Sequence, residues 1–450
     1  MMTQNDIQTL IASLLKEKPG IQFDISGSSV EDQTVKIKES GTLDQSASQR
    51  TNVTLRVWNA AGRVGVVQLT SLASKDLLAA VDLALEAAHV GPSEDLPLLP
   101  SLSQAGELPV KNNAQVVVGK HTAEPASIEQ LAEALSAGVE LLKTSHPSIQ
   151  GVPYNALSQR RVDRFYANTA GLVRSQQGGS VSTYLYAKGQ VDGYKPRAAG
   201  HWDEQNSLAE LSLTEVAKVT SKILVSHLQP GKIPSGKYPV VFSGKAFLDL
   251  LDAFSNLFSA QNILDKQSLH SKDSLGQLIA SELLNVTDDP LHKENISPAL
   301  FDGEGTAVRS TVLVEHGRLK GLWHHSVSAK AFATQSTGHA RVGAKMVVGP
   351  WFYNVAPGAG LGAIAENCIW VEEVQALHAG VNSLQGSFSL PFLGFRVENG
   401  QRMSLDGVTV AGDILATLKS IVALGEKQER ASGGVCPAVA VASLSITCEL

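Results

Sequence analysis

Residues 371–413 read VEEVQALHAGVNSLQGSFSLPFLGFRVENGQRMSLDGVTVAGD. The second half of this stretch has the pattern of a β-hairpin. Asn399-Gly400 is the dipeptide that most readily takes the two positive-φ positions of a type I′ turn. On the arm before it, Phe395 and Val397 point one way and Arg396 and Glu398 the other, as in a half-buried strand. The first half, from His378 to Gly386, holds too much glycine and too few large apolar groups to be core. A polar loop mounted on rigid strands is the usual build of a binding loop.

Length and composition bound what surrounds this stretch. At 450 residues the chain exceeds what one hydrophobic core serves, so two domains are expected. Hydrophobic residues at 43% and charged residues at 18% describe an ordinary folded protein. Aromatics are scarce at 5% while glycine reaches 39 residues, which favours antiparallel sheets with many tight turns over a helical bundle. A formal charge of −6, with no Lys/Arg cluster, points away from a nucleic-acid surface. Three cysteines, Cys368, Cys436 and Cys448, imply no disulfide framework. The first residues read as an amphipathic helix rather than a signal peptide, and no apolar run approaches the ~18 residues of a membrane span. A soluble cytoplasmic protein is expected.

Working outward, residues 5–17 predict a helix, with Ile7, Leu10, Ile11, Leu14 and Leu15 on one stripe. Strands are expected over 22–26 and 35–39, then a hairpin of 52–58 and 63–68, then a helix over 74–89 that Gly91-Pro92 ends. Residues 92–122 lack periodicity and read as a surface excursion. A capping box, Ser127 with Gln130, opens a helix over 127–145. Strand-like runs follow at 149–157, 161–168 and 172–187, and 189–206 reads as polar turns. A helix over 213–228 stops at Pro230-Gly231. The boundary falls between these last features, giving domains 1–210 and 211–450. The fold class is α+β, each domain a largely antiparallel sheet with helices packed on it. In the second domain, helices are expected over 245–258, 274–285 and 414–424, with a hairpin of 311–315 and 318–323.

Several segments together carry a family likeness: His378-Ala-Gly-Val-Asn382, Gly386-Ser-Phe388-Ser, Gly394-Phe395, Glu398-Asn-Gly400 and Val410-Ala-Gly412. They resemble the TldD/PmbA proteins, also called modulators of DNA gyrase and described as a metallopeptidase family. The N-terminal hairpin and helix, and the segments around His324-His325-Ser326 and Ser336-Thr337-Gly338, extend the resemblance. Enzymes of the TldD type carry His-Glu-x-x-x-His on the helix after the strand that ends here at Phe242. Two imidazoles on one helix hold zinc, and the Glu serves as general base. An ungapped reading puts Asp252 near the first His position, Ala253 at the Glu and Leu257 at the second His. The resemblance therefore implies the PmbA (TldE) branch: a chain with a vestigial metal helix at 245–258 and no metal of its own. Zinc is then expected only in a TldD-like partner subunit. Unfolded peptide is the implied substrate, and nucleic acid and membrane are not implied.

Other candidate residues admit more than one role. His324 and His325 are neighbours and would point to opposite faces of a strand, which favours hydrogen bonding over shared ligation. His339 follows a Ser-Thr-Gly turn with no carboxylate or cysteine at ligand spacing. Cys436 is either the relic of a metal-binding cysteine or a small buried residue, and Cys368 and Cys448 read as core. His378 beside Asn382 is either a peptide-contacting donor or a loop histidine bonded to a carbonyl. With Gly386, these make the candidate peptide-binding or vestigial site: His378, Asn382, Gly386, His339 and Cys436. No Gly-x-Ser-x-Gly elbow is present, and 357–362 reads as a flexible loop rather than a dinucleotide fingerprint. Two other functions remain open at this level: an autonomous hydrolase with a rearranged metal site, and a homodimeric peptide-binding protein without catalysis.

Overall fold

A computed structural model describes residues 4–91, 99–108, 125–342 and 346–449. Most of the excursion expected at 92–122 lies outside the described residues. The chain forms two compact units, one of Met1–Leu228 with Ile296–Val308 and Ala340–Val347, the other of Gln229–Asn295, Arg309–His339 and Val348–Leu450. Among the described residues both are built on largely antiparallel sheets carrying helices, an α+β architecture.

The first unit contains α1 (Gln4–Glu17), β1 (Gln22–Lys38), β2 (Leu43–Trp58), β3 (Val64–Leu69), α2 (Ser74–Ala88), α3 (Leu102–Ala105), α4 (Ile128–Thr144), β4 (Ile149–Gly151), β5 (Tyr154–Asn168), β6 (Val173–Gly189), β7 (Arg197–Gln205) and α5 (Leu213–Ser226). Its sheet runs β3-β2-β1-β5-β6, with β4 and β7 both paired to β6. Ile7, Ile11 and Leu14 of α1 pack with Leu77, Val81 and Ala84 of α2 over Phe23, Ile25, Leu55 and Val57. Leu131, Leu135 and Leu142 of α4 and Val216, Ala217 and Leu224 of α5 cover Val35, Leu157, Val181 and Leu185. The capping box at Ser127 and Gln130 forms as its spacing predicts.

Two expectations are corrected here. The strands predicted at 22–26 and 35–39 are one strand, β1, because β2 and β5 pair with it along its length. Ladder bonds on both sides hold a stretch whose polar side chains give no apolar alternation. Residues 197–205, read as turns, form β7 against β6.

The second unit contains β8 (Gly236–Phe242), α6 (Gly244–Ala253), α7 (Ala260–Leu264), β9 (Val286–Asp288), β10 (Thr311–Glu315), β11 (Arg318–Leu319) and α8 (Ser326–Ala331). β12 (Ala340–Arg341) and β13 (Val347–Val348) form a separate two-stranded ribbon. After β14 (Tyr353–Val355) come β15 (Asn367–Val374), α9 (Leu377–Gly380), β16 (Val381–Asn382), β17 (Ser387–Glu398), β18 (Gln401–Ser404), β19 (Val408–Asp413), α10 (Ile414–Lys419), β20 (Ile421–Ala431) and β21 (Gly434–Cys448). Strand pairing runs β8-β15-β17-β19-β21, and β21 pairs back onto β8, so the five strands close into a barrel. Closure removes the edges an open sheet would leave. The long strand β17 is the spine, with β15 and β16 on one side and β18 and β19 on the other. Asn399 and Gly400 take φ of 49° and 74°, the turn that the dipeptide predicts.

One predicted helix fails and another is shorter than expected. Over 274–285 only a 3-10 turn, Lys272–Ser274, forms. Gly276 sits at φ 82°, and Leu275, Leu278 and Leu283 face solvent, so the leucine spacing marks no buried face. Residues 421–424, expected to extend α10, begin β20 because Ile421, Ala423 and Leu424 pair with β21. Helix α6 forms as predicted but stops at Ala253, with a 3-10 turn over Ser255–Leu257.

Phe247, Leu250, Leu251, Phe254, Leu257 and Phe258 are all buried in the core of this unit. Phe254 meets Phe388 of β17 edge-on at 6.4 Å between ring centres. We expect Phe254→Ala to cost about 3–5 kcal/mol, the loss seen for deleting a buried aromatic, measured as a shift in urea midpoint at constant slope.

Candidate functional site

The site suggested by the sequence is assembled around α6. Ser243 caps the helix: its Oγ accepts from the Ala246 N–H at 3.0 Å and donates to the Glu372 carbonyl at 2.7 Å. The Gly244 N–H donates to Glu429 Oε2 at 3.2 Å, placing a carboxylate at the positive end of the helix. A Cβ on Gly244 would stand 2.2 Å from the Cys436 carbonyl oxygen, so only glycine admits this approach. On the exposed face, Lys245 Nζ lies 2.8 Å from Asp249 and 3.4 Å from Glu373 of β15.

At the far end stand the three positions that the family resemblance sets against the metal motif. Asp252 keeps an exposed flank, and the surrounding protein and then the Asp249 carboxylate raise its pKa above the usual carboxylate value. Ala253 is the last helical residue and half-buried. Leu257 lies beyond the helix, fully buried in the core. Asn256 donates from Nδ2 to the Gln267 carbonyl at 2.8 Å and the Ser383 carbonyl at 3.1 Å. That second bond ties the helix end to the loop of His378 and Asn382. The tie is not apparent from spacing.

This loop interrupts one sheet edge. Chain pairing with β17 ends at Val374 and resumes at Val381, and the segment between bulges out as α9. Ala376 takes φ 53° to turn the chain into it. His378 is exposed on that bulge. Asn382, also exposed, caps the following turn: its Oδ1 accepts the Gln385 N–H and its Nδ2 donates to Gln385 Oε1, both at 3.1 Å. Gly386, at φ 78°, lies beside Asp413 and Leu269, and its carbonyl accepts from the Ile414 N–H at 2.7 Å. His378, Asn382 and Gly386 are therefore one loop, joined to the end of α6 through Asn256.

His339 and Cys436 do not join them. His339 is fully buried, with Nε2 3.2 Å from Asp288 Oδ2, an ion-pair distance. Its Nδ1 lies 2.9 Å from Thr337 Oγ1 and 3.0 Å from the Thr337 carbonyl. Asp288 is held in turn by the backbone N–H groups of Trp351 and Phe352, each at 2.9 Å. Trp323 stacks over the imidazole at 6.1 Å. The carboxylate partner that sequence spacing does not offer is thus Asp288, brought from β9. Cys436 is buried on β21, opposite Glu429, beside the start of α6 rather than its end. Gly244 and Asp252 are separated by roughly 12 Å of helix axis. Burial, then Glu429, pushes the Cys436 thiol well above its ordinary pKa. Among the described residues no three His, Cys, Asp or Glu side chains are grouped to hold a metal ion.

His325 caps α8, its Nδ1 accepting from Val327 and Ser328 N–H at 3.1 and 3.3 Å. His324 is buried against Phe332, with Ser328 Oγ at 3.4 Å. Both make hydrogen bonds, but they stand at the start of α8 and not on a strand. In the first unit lies a second polar cluster that the sequence does not announce. Arg56 pairs with Asp24 inside the sheet, and Tyr166 donates to Asp24 at 3.1 Å. Asp302 accepts from the N–H groups of Glu304, Thr306 and Ala340, each at 2.9 Å. Burial, with Glu304 second, pushes the Asp302 carboxyl up to about 8.

Burial, with His325 and His339 beyond it, lowers the His324 pKa from 6.5 to about 4. Between these values the unfolded chain binds a proton that the folded chain refuses, so stability falls as pH drops through this window. Replacing His324 with Gln should flatten that part of the stability curve, measured by denaturant titration at successive pH values.

No helix among the described residues is long and apolar enough to cross a membrane. Residues 235–448 match the PmbA/TldA metallopeptidase C-terminal domain, and residues 122–228 match the PmbA/TldA metallopeptidase central domain. The metalloprotease PmbA homolog of Haemophilus influenzae is 25% identical over 337 residues, covering 73% of this chain and 70% of that protein. Metalloprotease PmbA of Escherichia coli O157:H7 is 25% identical over 229 residues, about half of each chain (49% and 48%). The fold matches a Thermotoga maritima structure described as a putative modulator of a DNA gyrase, with TM-score 0.86 and 23% identity over 98% of this chain and 100% of that one. TldE from Thermococcus kodakarensis matches with TM-score 0.84 and 21% identity, over 98% and 99% of the two chains. The chain belongs to the PmbA/TldD metallopeptidase family.

Proposed function

We propose that this chain is the non-catalytic, metal-motif-less subunit of a TldD/TldE-type peptidase complex, and that it binds unfolded peptide for a TldD-like partner that carries the zinc. The observation that carries this reading is the far end of α6. Of the three positions corresponding to the metal motif, one is an exposed carboxylate, one is a methyl group and one is a leucine fully buried in the core. A general base and an imidazole are missing together, and Leu257 lies after the helix has ended. No small adjustment of rotamers restores a ligand set there.

Peptide is held by main-chain pairing, which tolerates any sequence. Strand β8 pairs with β15 only over Ile369–Val371, and Ser243 takes the Glu372 carbonyl, leaving the edge from Glu373 through the α9 bulge to Asn382 for an added strand. His378 and Asn382 stand at that edge, and Asn256 fixes the loop that bears them.

The test is co-expression with the TldD-like chain of the same genome, followed by size exclusion and a peptide-cleavage assay on each peak. We expect a mixed complex that cleaves unfolded peptide and a separate chain that neither cleaves nor retains stoichiometric zinc after dialysis. Full activity of the TldD-like chain alone, with no co-elution, contradicts the proposal. Zinc retained by the separate chain and lost on Cys436→Ala or His339→Ala would favour the autonomous hydrolase instead.

A further inference from the structure

The loop of residues 265–271, between α7 and the 3-10 turn at Lys272–Ser274, reaches both the end of α6 and the segment before β17. Two side chains tie it there. Asn256 Nδ2 donates to the Gln267 carbonyl on this loop and to the Ser383 carbonyl. Both contacts are acceptors, so the amide nitrogen is fixed on that side and both of its protons are used. The loop returns a bond through His270, whose Nδ1 lies 3.0 Å from the Leu257 carbonyl. Leu269, beside His270, packs at Gly386, where a Cβ would stand 2.9 Å from its Cδ1. Residues 256–257, 267–270 and 383–386 are thus three segments tied at one place.

The tie fixes the state of the imidazole. A carbonyl only accepts, so the ring proton sits on Nδ1 and Nε2 carries a lone pair. His270 keeps 7% exposure, and its Nε2 is buried with no hydrogen-bond partner among the described residues. A neutral acceptor in such a place is tolerated at modest cost. A charged N–H without an acceptor costs far more, because an ion is then withheld from water. Burial accordingly lowers the His270 pKa below the ordinary 6.5, and the Leu257 carbonyl pulls less strongly the other way. Asp252 on α6, Asp265, Lys266, Lys272 and Asp273 on or next to the same loop, and Asp413 beside Gly386 leave the ring to these two influences.

We propose that His270 is a latch worked by a proton: neutral, it holds loop 265–271 between the end of α6 and the segment 383–386, and protonated, it lets that loop go. The imidazolium keeps its bond to Leu257 but brings a second N–H to a place without an acceptor. Relief comes by moving the loop until Nε2 reaches water. Gln267 leaves with it, and Asn256 loses one of the two carbonyls through which it fixes Ser383. The root of the segment bearing Asn382 and Gly386 is then loosened. The open form has the ordinary pKa and takes the proton first, so opening becomes easier as pH falls below 6.5. Above that value pH has no effect on the latch. This device goes beyond the function proposed above, and its test uses no peptide.

Amide hydrogen exchange of the full chain, corrected for the intrinsic rate at each pH, reads the latch. The Gln267 N–H donates to the Asn262 carbonyl at 2.7 Å and the Gly386 N–H to the Asn382 carbonyl at 2.9 Å, so both amides report on the tied segments. Below pH 6.5 their protection should fall by up to about tenfold per pH unit, the limit for uptake of one proton. His270→Asn places an amide nitrogen where Nδ1 stood, keeps the donor to Leu257 and cannot titrate, so it should lack that fall. Comparing it with the unaltered chain cancels the contribution of His324. His270→Ala removes the bond and should speed exchange at both amides roughly tenfold or more even at neutral pH. Ring-nitrogen NMR on the unaltered chain gives a second reading that needs no variant to fold. It should show the Nδ1–H tautomer at neutral pH and a titration below 6.5. A fall as steep in His270→Asn as in the unaltered chain overturns the proposal. So does protection that ignores pH in the unaltered chain, or an imidazole found as the Nε2–H tautomer or titrating at or above 6.5.

Discussion

The second unit depends on the burial of one helix face inside a closed barrel. Strand β21 pairs with both β19 and β8, and this double use closes the ring that α6 packs on. Phe247, Leu250, Leu251 and Phe254 of the helix are buried with Phe242, Ile369, Phe388 and Val439 from the strands. Burying a side chain of this size contributes about 1.5–3 kcal/mol over leaving it exposed, so the helix is held by several such terms. A close-packed interior leaves no room for a hydrated ion among them. Leu257, just beyond the helix, is part of the same packing.

That constraint also orders the polar groups. Each end of α6 is tied by hydrogen bonds: Ser243 and Glu429 at the start, Asn256 at the end. Asn256 passes the position of the helix end to the Ser383 carbonyl and so to the loop of His378 and Asn382. The loop is exposed but its root is fixed. His339 and Asp288, which look reactive as a pair, are fully enclosed, and Asp288 ties β9 to the backbone of Trp351 and Phe352.

Legibility in the sequence followed the range of the interactions. The Asn399-Gly400 turn, the Ser127 cap and the apolar stripe of α6 are local, and each is written within a few residues. The 274–285 segment shows the limit of this, because leucines at helical spacing there face solvent around a glycine with positive φ. Strand β1 fails in the opposite sense: its polar middle carries no alternation, and its extended form comes from two partners distant in sequence. For the same reason the grouping of His378, Asn382 and Gly386 was legible as one loop, while Asp288 beside His339 and Asn256 beside Ser383 were not. Barrel closure rests on β21 meeting β8 at the other end of the unit's sequence, and no short pattern encodes it.

The central claim is that α6 fills space and owes nothing to a metal. Amide hydrogen exchange at Phe247–Leu251, compared in chelator and in excess zinc, tests it most directly. Exchange should be equally slow in both, limited by opening of the whole unit. Protection that collapses in chelator and returns with zinc would show that a bound ion holds the helix in place, and would contradict the account.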